Sequence, residues 1–127
     1  MALLEVVAVV LAGGAGAAAR FVVDGLVRAR WSPRFPLATV VVNVSGSFLV
    51  GLVAGAVLAR SVGATWQVVA AAGFCGGYTT FSTAMAETVR LVQSENPGWA
   101  AANALGTLVA CVGAAAAGVG LAWTTLG

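Results

Sequence analysis

Four apolar runs fill this chain almost end to end, at about 3–23, 36–59, 66–91 and 99–126. A helix that crosses about 30 Å of hydrocarbon needs roughly 20 residues. Each run is therefore one membrane span, and short loops use the remainder of the 127 residues. No length is left for a soluble catalytic domain. With 61% hydrophobic and 8% charged residues and a mean hydropathy of +1.01, the chain carries more apolar surface than a small water-soluble fold can bury. Alternating ten-residue strands, the mark of a membrane barrel, are absent, and Ala and Leu runs dominate. The expected fold is an all-α membrane protein: one domain, 1–127, of four transmembrane helices in a lipid bilayer.

Punctuation and charge agree with that division. Trp31-Ser32-Pro33 marks a turn before the second span, and Asn96-Pro97-Gly98 marks one before the fourth. Trp31, Trp66, Trp99 and Trp123 fall near span ends, where amphipathic rings favour the membrane interface. The opening Met-Ala-Leu-Leu-Glu lacks the basic region of a secretory signal, so the first run reads as a permanent span. Every basic residue is arginine. Arg28, Arg30 and Arg34 lie between spans one and two, Arg20 sits in the last turns of span one, and Arg90 precedes the third loop. Only Arg60 lies on the other side, so the first and third loops face the cytoplasm and both termini face out. The lysine-free, alanine-rich composition is that of a GC-rich bacterial genome, and the expected location is a bacterial inner membrane.

Several function classes fall away. A net charge of +2 without a basic stripe gives no nucleic-acid footprint. The chain has no histidine, and without a buried acid pair or a metal-ligand cluster nothing is left to run a reaction, so an enzyme is not expected. Cys75 and Cys111 lie in apolar runs and read as small hydrophobes. Gly13 to Arg20 is no phosphate loop, because no Gly-Lys-Ser/Thr follows. A proton-coupled multidrug transporter would need a carboxylate embedded in span one, and Glu5 is too near its start.

The polar residues inside the spans carry the functional signal. Span three reads Gly73-Phe74-Cys75-Gly76-Gly77-Tyr78-Thr79-Thr80-Phe81-Ser82-Thr83-Ala84. Adjacent glycines weaken a helix, and a break there frees backbone groups that must line a cavity, bind an ion or find protein partners. The alternative is a kinked helix whose hydroxyls bond back to their own carbonyls. Span two adds Thr39, Asn43 and Ser47, and span four adds Asn103, Thr107 and Cys111, each row at four-residue spacing along one face. Rows of hydroxyls and amides offer hydrogen-bond donors. Glu5, Glu87 and Glu95 are placed at or beyond span ends, so no carboxylate is expected among those rows. That favours a small anion over a cation, whose channels show acidic rings. The candidate path residues are Thr39, Asn43, Phe81, Ser82, Thr83 and Thr107, with Arg20 raising the potential at the mouth. The positive edge of the Phe81 ring suits an anion.

At these residues the chain resembles the Fluc/CrcB fluoride channel family. Gly13 to Phe21 (GGAGAAARF), Thr39 to Gly51 (TVVVNVSGSFLVG) and Gly73 to Thr83 (GFCGGYTTFST) carry the likeness, the last most specifically. The resemblance implies passive, fluoride-selective export that relieves toxicity, an antiparallel dimer, and fluoride paths between subunits. It implies that Asn43, Phe81 and Thr107 line a path and that the backbone carbonyls of Gly76 and Thr79 hold a central structural Na+. Three positions depart from the family pattern: Ala84 stands where a second phenylalanine is usual, Asn103 where tyrosine is common, and Thr107 where serine is. With the one-sided arginines, Ala84 raises a second expectation: a heterodimer with an oppositely oriented paralogue in place of a homodimer. The alternative function is a non-conducting or regulatory membrane subunit in such a pair.

Overall fold

A computed structural model describes residues 2–31, 35–60 and 63–127 of the chain. The described residues are helical apart from short connections, and we number the helices α1 (Leu3–Arg30), α2 (Leu37–Leu58), α3 (64–78), α4 (Phe81–Gln93) and α5 (Pro97–Leu126). Helices α1, α2 and α5 are each long and apolar enough to cross a membrane. The remaining span is α3 and α4 in series, interrupted at Thr79 and Thr80. The protein is thus an all-α membrane protein with its third span broken near the middle, as expected.

The ends follow ordinary helix chemistry. α1 runs on past the expected end at 23 and stops only where Trp31 turns extended, its N–H bonded to Val27 O at 3.0 Å. Arg28 and Arg30 occupy its last turn, where cations complement the helix dipole. These two arginines are therefore helical and not part of a loop. Arg34, with Ser32 and Pro33 of the expected turn, lies outside the described residues. α5 starts with Pro97 at its first position, where the missing N–H costs nothing. Two stretches, Val68–Cys75 in α3 and Ala102–Gly106 in α5, are π-wound.

The helices pair by close backbone approach. A Cβ added to Gly16 would overlap the Phe74 carbonyl, so α1 lies directly against α3. A Cβ on Gly51 would overlap the Ala115 carbonyl, which sets α2 equally close to α5. Small residues allow such contact in lipid, where apolar burial gives little drive to associate. Phe35 and Trp99 meet edge-on at 5.4 Å, tying the chain just before α2 to the start of α5. The outer faces are apolar, with Val10 and Leu11 on α1 and Leu108, Val109 and Val112 on α5 all exposed. Lipid suits those faces.

Candidate functional site

The break in span three is closed by one side chain from α2. Asn43 Nδ2 donates to Thr80 O at 2.9 Å, and Thr80 N donates to Asn43 Oδ1 at 2.8 Å. The amide pairs with Thr80 as a neighbouring strand would, so an extended residue inside the protein keeps both backbone bonds. Thr80 also begins α4: its Oγ1 accepts from Thr83 N at 3.2 Å, an N-cap that supplies one of the orphan bonds of a new helix. On the other side of the break Thr79 still bonds back to Cys75 O, through its N–H at 2.9 Å and its hydroxyl at 2.8 Å. Tyr78 reaches Ser45 of α2, with the two hydroxyl oxygens 2.9 Å apart.

Gly76 and Gly77, expected at the break, remain helical. Their use is contact: a Cβ on Gly77 would overlap the Gly13 carbonyl of α1. The N–H groups that a continuous helix would send to the Gly76 and Thr79 carbonyls go instead to Asn43 and to the Thr80 hydroxyl. Two carbonyl oxygens freed in this way suit a hard cation such as sodium, which takes oxygen ligands.

Two cavities adjoin the break, and Thr80 lines both. The larger, about 490 Å³, runs between α2, α4 and α5 past Asn43, Ser47, Phe81, Ala84, Asn103 and Thr107. Thr107 Oγ1 is buried and has no hydrogen-bond partner among the described residues. A helical threonine normally bonds to the carbonyl one turn back, as Thr124 does to Gly120 O at 2.9 Å in the same helix. The turn before Thr107 is π-wound, and its hydroxyl is left with a free donor. Asn103 is fully buried and its Nδ2 donates to Thr88 Oγ1 at 2.8 Å and Ala84 O at 3.3 Å, fastening α5 to α4. Phe81 borders this cavity with 78% of its surface exposed.

The smaller cavity, about 310 Å³, lies between α1, α2 and the start of α4 and carries Arg20, Asp24, Arg28, Thr39 and Thr83. Beside it stands a carboxylate that hydropathy placed at the span end. Glu87 is buried, and the Thr39 hydroxyl donates to its Oε1. The expectation of no buried carboxylate is corrected here. Arg28 approaches the same oxygen at 3.9 Å and holds Asp24 at 2.8 Å. Because α1 extends to Arg30, Arg20 lies well inside the helix and not in its last turns.

The expected rows are thus sorted between two places. Asn43, Phe81 and Thr107 share the larger cavity, and Arg20, Thr39 and Thr83 share the smaller. Ser82 is exposed and lines neither. Thr80, Asp24, Arg28 and Glu87 were missed as site residues. A signal existed for two of them: Thr80 stands three residues before Thr83 in a cap pattern, and Glu87 shares the helical face of Ala84 and Leu91, both buried.

A broken span closed by an amide from its neighbour, with donor-lined cavities on both sides, defines a membrane protein built around a polar seam. A family model described as "CrcB-like protein, Camphor Resistance (CrcB)" matches residues 7–119. Among curated relatives, "Fluoride-specific ion channel FluC 1" of Leifsonia xyli is 45% identical over 118 residues, covering 93% of this chain and 86% of its own. "Fluoride-specific ion channel FluC 2" of Mycolicibacterium paratuberculosis is 46% identical, covering 90% of this chain and 88% of its own. "Fluoride-specific ion channel FluC" of Nitrobacter winogradskyi is 39% identical, covering 90% and 91%. The chain belongs to the CrcB-like family.

Proposed function

We propose that this chain is a subunit of a passive, fluoride-selective channel in a bacterial inner membrane, exporting fluoride down its gradient. The observation that carries the reading is the shared wall at Thr80, where a cavity bearing Arg20 and Arg28 abuts one bearing Asn43 and Thr107. The names of the relatives support fluoride as the ion. Arg20, which pairs with no carboxylate among the described residues, draws an anion toward that end. Beyond Thr80, the Asn43 amide, the free Thr107 hydroxyl and the Phe81 edge replace its water. Asn43 has one Nδ2 hydrogen left after bonding Thr80, because an amide carries two donors. Closely spaced donors in a narrow passage favour fluoride over the larger chloride.

A second subunit completes the path. The exposed Phe81 ring beside an apolar groove is the feature that supports one, and the reading takes that subunit as antiparallel. At the break, the Gly76 and Thr79 carbonyls would hold a structural sodium, which would supply positive charge and cross-link the oxygens around it. The direct experiment is fluoride efflux from liposomes containing the purified chain, read with a fluoride electrode beside a chloride control. Fluoride-selective efflux supports a homodimer that tolerates Ala84. If the well-folded chain is silent alone and conducts with an oppositely oriented paralogue, the channel is a heterodimer. Silence in both settings rejects conduction.

A further inference from the structure

Arg28 stands between two carboxylates on different helices. Its Nε donates to Asp24 Oδ2 at 2.8 Å, one turn back on α1, and its Nη2 lies 3.9 Å from Glu87 Oε1 on α4. That same Glu87 oxygen accepts from the Thr39 hydroxyl of α2. Three helices therefore converge on one carboxylate oxygen, and Arg28 and Thr39 both line the smaller cavity.

The charges around Glu87 can be counted helix by helix. α1 carries Glu5, Arg20, Asp24, Arg28 and Arg30, of which Arg20, Asp24 and Arg28 line the smaller cavity; α2, α3 and α5 contain no charged residue; Arg90 is the other charged group on α4. Removing the partner of a buried carboxylate leaves its charge uncompensated in a low-dielectric site. Beside an anion path, such a charge would repel the ion to be carried.

We propose that Arg28 is a positioning residue for conduction: it compensates the Glu87 charge and keeps that carboxylate on Thr39, while Asp24 fixes the guanidinium in place. The proposal rests on the fluoride-path reading above. It predicts that Glu87 becomes an obstacle only when Arg28 is gone, and an obstacle that Glu87→Gln removes.

The test compares initial fluoride efflux from proteoliposomes at neutral pH, with leak from protein-free liposomes subtracted. Arg28→Gln should slow efflux about tenfold, whereas Arg28→Lys should stay within about threefold of wild type. In a Glu87→Gln background, adding Arg28→Gln should change nothing further. Arg28→Met, which keeps the apolar stem, serves if Arg28→Gln does not purify as a single species. A conducting wild type with Arg28→Gln unchanged overturns the role of Arg28 alone. So does a loss that persists in full with Glu87→Gln, which is the mark of a merely structural residue. A silent wild type sinks the channel reading itself.

Discussion

Asn43 Nδ2 and Thr80 O lie 2.9 Å apart, and the return bond from Thr80 N to Asn43 Oδ1 is 2.8 Å. One amide therefore closes the broken span and also faces the larger cavity. Its structural role and the conducting role proposed for it cannot be separated by deleting it. Asn43→Ala leaves two backbone groups of Thr80 unpaired, which should cost about 2 kcal/mol or more of stability and abolish fluoride efflux. Asn43→Asp keeps the acceptor but loses the donor and adds a negative charge. Thermal unfolding in detergent should show it folded, with efflux still lost.

Thr107 separates the two duties. Its hydroxyl makes no hydrogen bond among the described residues, so Thr107→Val should leave stability unchanged or raise it by up to about 1 kcal/mol. Fluoride efflux should nevertheless fall by about tenfold, since a donor to the ion is lost. Thr107→Ser should conduct like wild type. A valine variant that conducts normally would remove Thr107 from the path.

Neighbouring glycines on α1 should respond oppositely. Gly16 faces the Phe74 carbonyl with no room for a Cβ, whereas a Cβ on Gly14 meets nothing within 4 Å. Gly16→Ala should cost about 2 kcal/mol or more by forcing α1 away from α3. Gly14→Ala should be neutral or slightly stabilising, by up to about 1 kcal/mol. Unfolding midpoints of the two purified variants decide it.

Phe81 and Ala84 lie within one turn of α4 and both border the larger cavity. Phe81→Ala removes an exposed ring, so the chain should fold while efflux drops at least about tenfold, a contact to the ion being lost. Ala84→Phe should raise efflux by about twofold in a homodimer, where each path gains a ring edge. Initial rates at equal protein-to-lipid ratio measure both.

Hydropathy made the spans legible, and the adjacent Gly76-Gly77 with its hydroxyl cluster marked the broken one. The position of the break was less legible, because a glycine weakens a helix and also admits a neighbour. Gly77 is used for the second purpose, against the Gly13 carbonyl, and the break falls on Thr79 and Thr80, where Asn43 supplies the missing partner. Glu87 was misread for a related reason. Hydropathy counts a carboxylate near a span end as wet, and only the fold brings Thr39 and Arg28 to it. The π-wound turns leave no composition signal, so the free Thr107 hydroxyl was out of reach even though the residue itself was named.

The close pairs are α1 with α3 and α2 with α5, so neither partner follows directly in sequence. During synthesis α1 must wait for α3, and α2 must wait until the last helix has left the ribosome. Until then Gly51 and Gly55 of α2 face lipid or the insertion machinery without the helix they are shaped for. α2 thus stays without its close partner until α5 is made. Ribosome-bound chains halted before Pro97 should be far more open to protease than chains released after Leu126.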